Sequence, residues 1–325
     1  MRFSPFMKAS GLAIATLSFS ALTCVGTAFA ESNKDGPTDG DIGFQRAVTP
    51  VMEAITGFNN FWLVPIMVGI VVLVTVLMGY IMIRFREKAN PEAQKFSHHT
   101  GLEVAWTLIP VVILMCLAVP SMKLLYFADV VPEAGLVVKA TGNTWNWEYS
   151  YPDYEDKVDS FVSNIVDIPH TEKRTEAGEA LSHKQIIAQI EARPADQPRL
   201  NGRPYLMATD AALVVPVDTI VKVLVTSNNN LHAFAVPQFG VKIDAVPGRI
   251  NETWFKVNVG EEGTYYGQCS EICGVNHAFM PIEVKVVSKA EFKRWVANGG
   301  SFTAQYSQNT IQNKIVGGMQ TAAAQ

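Results

Sequence analysis

Cys269, Cys273, His277 and Met280 fall within one short stretch, Gly267-Gln268-Cys269-Ser270-Glu271-Ile272-Cys273-Gly274-Val275-Asn276-His277-Ala278-Phe279-Met280. His232 lies upstream in Asn229-Asn230-Leu231-His232-Ala233-Phe234. Two thiolates, two imidazoles and a thioether offer more sulfur and nitrogen than one four-coordinate ion uses. If each cysteine sulfur bridges two metals, it fills a position on both, and the count closes on two ions in one site. Thiolate with thioether favours copper, and imidazole accepts copper and zinc alike. An electron shared by two bridged metals changes each bond length less than an electron held on one, so such a site suits electron transfer. Zinc on a Cys2His2 set is the inorganic rival. Against it, Met280 falls where a weak axial ligand would, and the flanking sequence reads as strand, loop, strand. A mononuclear copper site of this kind has one cysteine in its loop; this loop has two. A disulfide is the other alternative, but a Cys-x3-Cys ring is small and strained.

The elements around these residues divide the chain of 325 residues into membrane and exported parts. Residues 1–30 read as a secretory signal: Arg2 and Lys8, an apolar run from Leu12 to Val25, and Ala28-Phe29-Ala30 as a cleavage site. A lipoprotein anchor at Cys24 is the alternative, with Thr23 where a smaller residue is favoured. Residues 31–58 form an exported N-terminal segment. A transmembrane hairpin follows over 59–128. Phe61 to Ile83 is uncharged and apolar, long enough for a hydrocarbon core of about 30 Å. The second span runs from Leu102 to Phe127, with Glu103 near one end and Lys123 near the other; the alternative is a buried soluble helix. Pro110 and Pro120 are tolerable where neighbouring helices cover the freed carbonyls. Arg84, Arg86, Lys88 and Lys95 lie between the spans, which places this loop in the cytoplasm. The expected location is the bacterial inner membrane, multi-pass, with the C-terminal domain in the periplasm. The net charge of −4 gives no basic face for nucleic acid.

Residues 129–298 read as one β-rich domain. Strands are expected at Leu136–Thr141, Ala212–Val215, Thr219–Thr226, Glu252–Val259, Gly263–Tyr266 and Ile282–Val287. Trp145, Trp147, Tyr149 and Tyr151 alternate with polar residues, the period of a strand with one aromatic face. An insertion at 170–203 interrupts the pattern, with helical spacing over Glu179–Glu191; His170 and His183 lie in it as solvated residues. Ser288-Lys289-Ala290-Glu291 is a capping box opening a helix to about Ala297. Residues 299–325 are a small, polar tail expected to be mobile.

The run from Tyr266 to Gly274 with His277 and Met280 resembles subunit II of haem-copper cytochrome c oxidases. So do His232-Ala233-Phe234-Ala235-Val236-Pro237, Lys242-Ile243-Asp244-Ala245-Val246-Pro247-Gly248-Arg249 and the tryptophan strand. The resemblance covers the chain from the first span to about Val287. It implies an N-terminal two-helix transmembrane hairpin plus an all-β cupredoxin-like Greek-key barrel. It further implies that His232, Cys269, Cys273, His277, Met280 and the backbone carbonyl of Glu271 bind two copper ions, the copper A centre. The Glu271 side chain would bind a magnesium or manganese ion shared with the catalytic subunit. Trp145 would take electrons from cytochrome c, with Asp153, Glu155, Asp156 and Asp159 close behind it as docking acids for a basic partner. Glu103 would aid proton uptake at the cytoplasmic mouth; the alternative is an interfacial acid favoured by the helix dipole. The implied partners are the catalytic haem-copper subunit I, other oxidase subunits, cytochrome c and membrane lipid. The implied activity is that of a cytochrome c oxidase subunit. Electrons pass to haem for oxygen reduction coupled to proton pumping, with no oxygen chemistry on this chain alone.

The sequence departs from the family at Asn228, Asn229 and Asn230, where an acid is common, and at Ser150, where some relatives carry glutamate. A membrane-tethered periplasmic copper chaperone and a zinc-stabilised structural domain are the rival functions. Two coppers with an intense colour, one copper, or a colourless ion would distinguish the three.

Overall fold

The structure, a computed structural model, describes residues 43–92, 98–166, 180–193, 197 and 200–302. The signal segment with Cys24, and Lys95, His170 and the tail beyond 302, lie outside the described residues.

Helix α1 (Pro50–Arg84) is continuous over 35 residues, with one π-helical turn at Asn59–Leu63. It begins well before the apolar run, inside the segment 31–58. Thr49 explains why: its hydroxyl accepts from the Met52 N–H at 3.1 Å, and Pro50 takes the first helical position. The same hydroxyl donates to the Phe239 carbonyl at 2.8 Å, so one buried residue both starts the helix and ties it to the β domain. The Asn258 side chain donates to Glu53 at 2.7 Å, and Arg46 pairs with Glu261. Helix α2 (Thr100–Asp129) has 30 residues and runs through Pro110 and Pro120. At about 1.5 Å per residue both helices outrun a hydrocarbon core of about 30 Å. Phe127 near the outer end of α2 meets Trp254 edge-on, with ring centres 5.9 Å apart.

Among the described residues ten strands follow: β1 (Leu136–Asn143), β2 (Asn146–Ser150), β3 (Phe161–Ser163), β4 (Leu213–Pro216), β5 (Val221–Ser227), β6 (His232–Val236), β7 (Val241–Ala245), β8 (Asn251–Phe255), β9 (Gly263–Cys269) and β10 (Pro281–Val287). They form two five-stranded sheets, in the orders β3-β2-β1-β5-β8 and β4-β10-β9-β6-β7. Among the described strands, the β1–β5 and β10–β4 pairs are parallel. Alternation buries one face of each sheet: Val221, Val223 and Val225 point inward on β5 while Lys222, Leu224 and Thr226 do not. Trp147, Tyr149, Phe234, Phe239, Phe255 and Tyr265 fill the space between the sheets. This is the cupredoxin-like Greek-key arrangement expected, flattened into a sandwich.

Several boundaries differ from expectation. The strand expected over Glu252–Val259 ends at Phe255, while β9 continues beyond Tyr266 to Cys269. β3, β6 and β7 were not foreseen as strands. Helix α3 (His183–Glu191) starts later than its spacing suggests, because Ser182 and Gln185 form the capping box that opens it. Ile186 and Ile190 of α3 pack with Val166, Leu200 and Ala208 into a small second core, so the insertion carries apolar packing of its own. Arg203 fastens it to β10: its guanidinium reaches the buried Glu283 carboxylate at 2.9 Å and the Thr209 carbonyl at 2.8 Å. Helix α4 (Lys289–Ala297) begins at Ser288, whose hydroxyl accepts from the Glu291 N–H at 3.2 Å.

Candidate metal centre

Strand register brings the five side chains together. β6 runs antiparallel to β9 with Phe234 opposite Cys269. His232 lies two residues before Phe234 and therefore on the same face, beside Cys269. The loop from Cys269 to Met280 is closed at its base by the Cys269 N–H donating to the Met280 carbonyl at 3.3 Å. The Ser270 N–H donates to the Ala233 carbonyl at 3.1 Å, which fixes the start of the loop against β6.

The two sulfurs stand 3.9 Å apart, and both thiols are free. Cys269 Sγ lies 3.8 Å from His232 Nδ1 and 3.2 Å from the Glu271 carbonyl oxygen. Cys273 Sγ lies 3.5 Å from His277 Nδ1 and 3.5 Å from Met280 Sδ. Each sulfur thus has an imidazole nitrogen and one weaker donor beside it. His232 is 0 % exposed, Met280 1 %, Cys273 2 % and Cys269 6 %, so the pocket excludes bulk water. His277 and Glu271 are half-buried.

The electrostatics fit a bound cation. Burial, and then the neighbouring Cys269, push the Cys273 thiol up to about 12. Burial, and then His277, hold the His232 imidazole below its ordinary value. His232 Nε2 meets the Asn229 side-chain oxygen at 3.2 Å. An amide oxygen only accepts, so Nε2 carries the proton and Nδ1 presents its lone pair toward the sulfurs. The donor set suits copper: two thiolates, two imidazoles and a thioether, buried and mutually in reach.

Trp145 sits in the two-residue turn between β1 and β2, half-buried rather than freely exposed. Its indole Nε1 donates to the Cys273 carbonyl at 3.0 Å. Gly274 permits this: its φ is +115°, and a Cβ there would come within 3.2 Å of the indole ring. Gly142 does the same for His232, since a Cβ would meet the ring carbon Cδ2 at 2.8 Å. That glycine falls just past the strand expected over Leu136–Thr141; it lies within β1 and marks a close approach there.

The sequence matches the family described as cytochrome c oxidase subunit II, periplasmic domain, over residues 192–287. It matches the transmembrane domain of the same family over residues 37–124. A probable cytochrome c oxidase subunit 2 of Rickettsia prowazekii is 42% identical over 262 residues, covering 80% of this chain and 73% of the relative. The chain belongs to the cytochrome c oxidase subunit II family. Subunit 2 of Cereibacter sphaeroides is 41% identical over 269 residues, covering 82% of this chain and 83% of the relative. The solved periplasmic domain of subunit II from Bradyrhizobium japonicum is 40% identical, covers 52% of this chain and 96% of that one, and superposes with a TM-score of 0.40. As a subunit II, the chain is a membrane component of a haem-copper oxidase, with a copper-binding periplasmic domain and an electron-accepting role.

The remaining expected residues of this subunit II lie apart from the centre. Asp153, Glu155, Asp156 and Asp159 do not surround Trp145. Trp145 is at one end of the β1–β2 hairpin; Asp153 is at the other, its carboxylate accepting from the Val137 N–H at 2.9 Å. The separation along β2 is about 20 Å, beyond a Debye length of about 8 Å. Alternation in sequence concealed this, because residues close in number are far apart along an extended strand. Glu103 lies in the first turn of α2, where Oε1 accepts from the His99 N–H at 3.3 Å. That contact is a helix-capping one.

Asn229 and Asn230 were missed as part of the site. Their only signal was their position beside His232, where the sequence departs from the family.

Proposed function

We propose that this chain accepts electrons from cytochrome c at Trp145 and holds them at a centre of two copper ions. His232, Cys269, Cys273, His277, Met280 and the Glu271 carbonyl would hold the ions. Copper supplies the one-electron redox chemistry when bound. The carrying observation is the convergence of the donors around two sulfurs 3.9 Å apart. Trp145 offers the partner a half-buried aromatic ring joined to a ligand residue by one hydrogen bond. The buried ligands hold their geometry and exclude water, which lowers the rearrangement that accompanies each electron. The same enclosure speaks against an exchanging copper chaperone.

The electron leaves toward haem in the catalytic subunit, where oxygen is reduced. A magnesium or manganese ion on the Glu271 carboxylate would sit between the two subunits, a hard cation on a hard oxygen. Glu103 is assigned to proton uptake at the cytoplasmic mouth of α2, in addition to its cap. Both helices cross the bacterial inner membrane, with lipid around them and the loop after Arg84 in the cytoplasm.

The test is metal content of the purified oxidase and of a Cys273→Ser form. Two coppers per chain above those of the catalytic subunit, lost together in the variant, are expected. One copper, or zinc, would overturn the reading.

A further inference from the structure

The Cys273 carbonyl accepts two hydrogen bonds from opposite elements. Trp145 Nε1 donates at 3.0 Å from the β1–β2 turn, and Asn230 Nδ2 donates at 2.9 Å from the loop before β6. A carbonyl oxygen has two lone pairs, so both bonds form together and fix the orientation of the peptide that follows the ligand sulfur. Without Asn230 this peptide would be held from one side only.

Neighbouring contacts make Asn230 part of a rigid frame. Its N–H donates to the Asn229 side-chain oxygen at 2.9 Å, the same oxygen that faces His232 Nε2. Its carbonyl accepts from the Ser227 hydroxyl at 2.6 Å. The Asn229 amide nitrogen donates to the Thr144 hydroxyl, and Asn228 donates to the Asn143 side chain at 2.8 Å. Asn143 and Thr144 immediately precede Trp145. The asparagine run therefore binds the tryptophan turn, one imidazole ligand and one cysteine ligand into a single unit. The three asparagines and Thr144 themselves carry no charge.

We propose that Asn230 is a positioning residue for electron uptake. By sharing the Cys273 carbonyl with Trp145 it holds the indole, the ligand peptide and the sulfur in one fixed junction. It is not one of the proposed ligands, and it acts through the Cys273 carbonyl. The inference rests on the reading of Trp145 and the copper centre above.

The experiment uses the assembled oxidase with Asn230→Leu, which keeps the shape and removes the donor, and Asn230→Gln, which restores an amide donor. The expected result is an unchanged copper content and a rate of reduction by a basic cytochrome c lowered about fivefold in N230L, the population shift from losing one neutral hydrogen bond. N230Q recovers most of that rate. Copper-free full-length chain in detergent gives a second readout. The ultraviolet Raman signal of the Trp145 indole N–H, isolated by subtraction of Trp145→Phe, should broaden toward a weaker hydrogen bond in N230L and return in N230Q.

Wild-type uptake rate together with an unchanged indole signal in N230L would overturn the proposal. Should N230L not assemble, Asn230→Asp is read in its place, being isosteric and unable to donate when ionised; wild-type behaviour there overturns it equally. If the parent protein lacked copper or took no electrons, the underlying reading would fail. If only N230L matched a working parent, this inference alone would fail.

Discussion

At Gly142 a hydrogen stands where any other residue would place a carbon against the His232 imidazole, 2.8 Å from Cδ2. Gly142→Ala must push the ring away from Cys269, because β1 is held on both sides by β2 and β5. Copper retention against a chelator is expected to fall about 10- to 100-fold, the range for disturbing a ligand's support, and dialysis followed by metal analysis checks it. The Cys273 thiol, raised to about 12 by burial and by Cys269, is protonated in the copper-free protein at neutral pH. Copper must displace that proton, so uptake should strengthen with rising pH, by about tenfold per unit for each proton released. Titration against a competing chelator at two pH values measures the slope; a flat response would show that the Cys273 thiol is already ionised. The sign for the copper-free fold is opposite. The unfolded thiol ionises near 9.0 and the folded one later, so that contribution to stability declines as pH rises from 9.0 toward about 12. The ligands themselves were legible in the sequence because soft donors at loop spacing are rare. Gly142, Asn229 and Asn230 were not, since a glycine or an amide acquires its role only from the neighbour that folding supplies.

Elements were legible where alternation was clean. β5 shows its inward valines, and β10 its alternating Ile282, Val284 and Val286, without reference to any partner. β6 is buried along its whole length, as His-Ala-Phe-Ala-Val, and so presents no period that marks it as a strand. β3 is only three residues long. The β1–β2 hairpin carried the largest misplacement: acids close to Trp145 in number stand at the far end of β2. The insertion was recognised by composition, but its anchorage was not. Arg203 and Glu283 are distant in sequence, and their pairing exists only once β10 is placed. Arg203→Met leaves Glu283, whose side chain is 5% exposed, without its countercharge. The Thr209 N–H still donates to that carboxylate at 2.6 Å. A loss of about 3 kcal/mol is expected, read as a lower denaturation midpoint with copper content intact. A variant as stable as the parent would mean that the insertion is held by its small apolar core.

Across the whole molecule, α1 is more than an anchor. Its first turn is buried against the β domain through Val51 and Met52, and Thr49 fixes the junction. The helix thereby fixes its outer end to the domain that carries the copper ligands. Hydropathy located both spans but not this docking, because the residues before the apolar run carry no helical signal beyond Thr49-Pro50. Fast electron uptake by this chain requires two metals sharing one electron beside the sulfurs of Cys269 and Cys273. The direct measurement is electron paramagnetic resonance of this centre in the half-reduced, purified oxidase, with the catalytic subunit's signals subtracted. Hyperfine splitting by two equivalent copper nuclei is the expected spectrum, and it should vanish in either cysteine-to-serine form. Splitting by a single nucleus, or a spectrum that survives the loss of one sulfur, would contradict it.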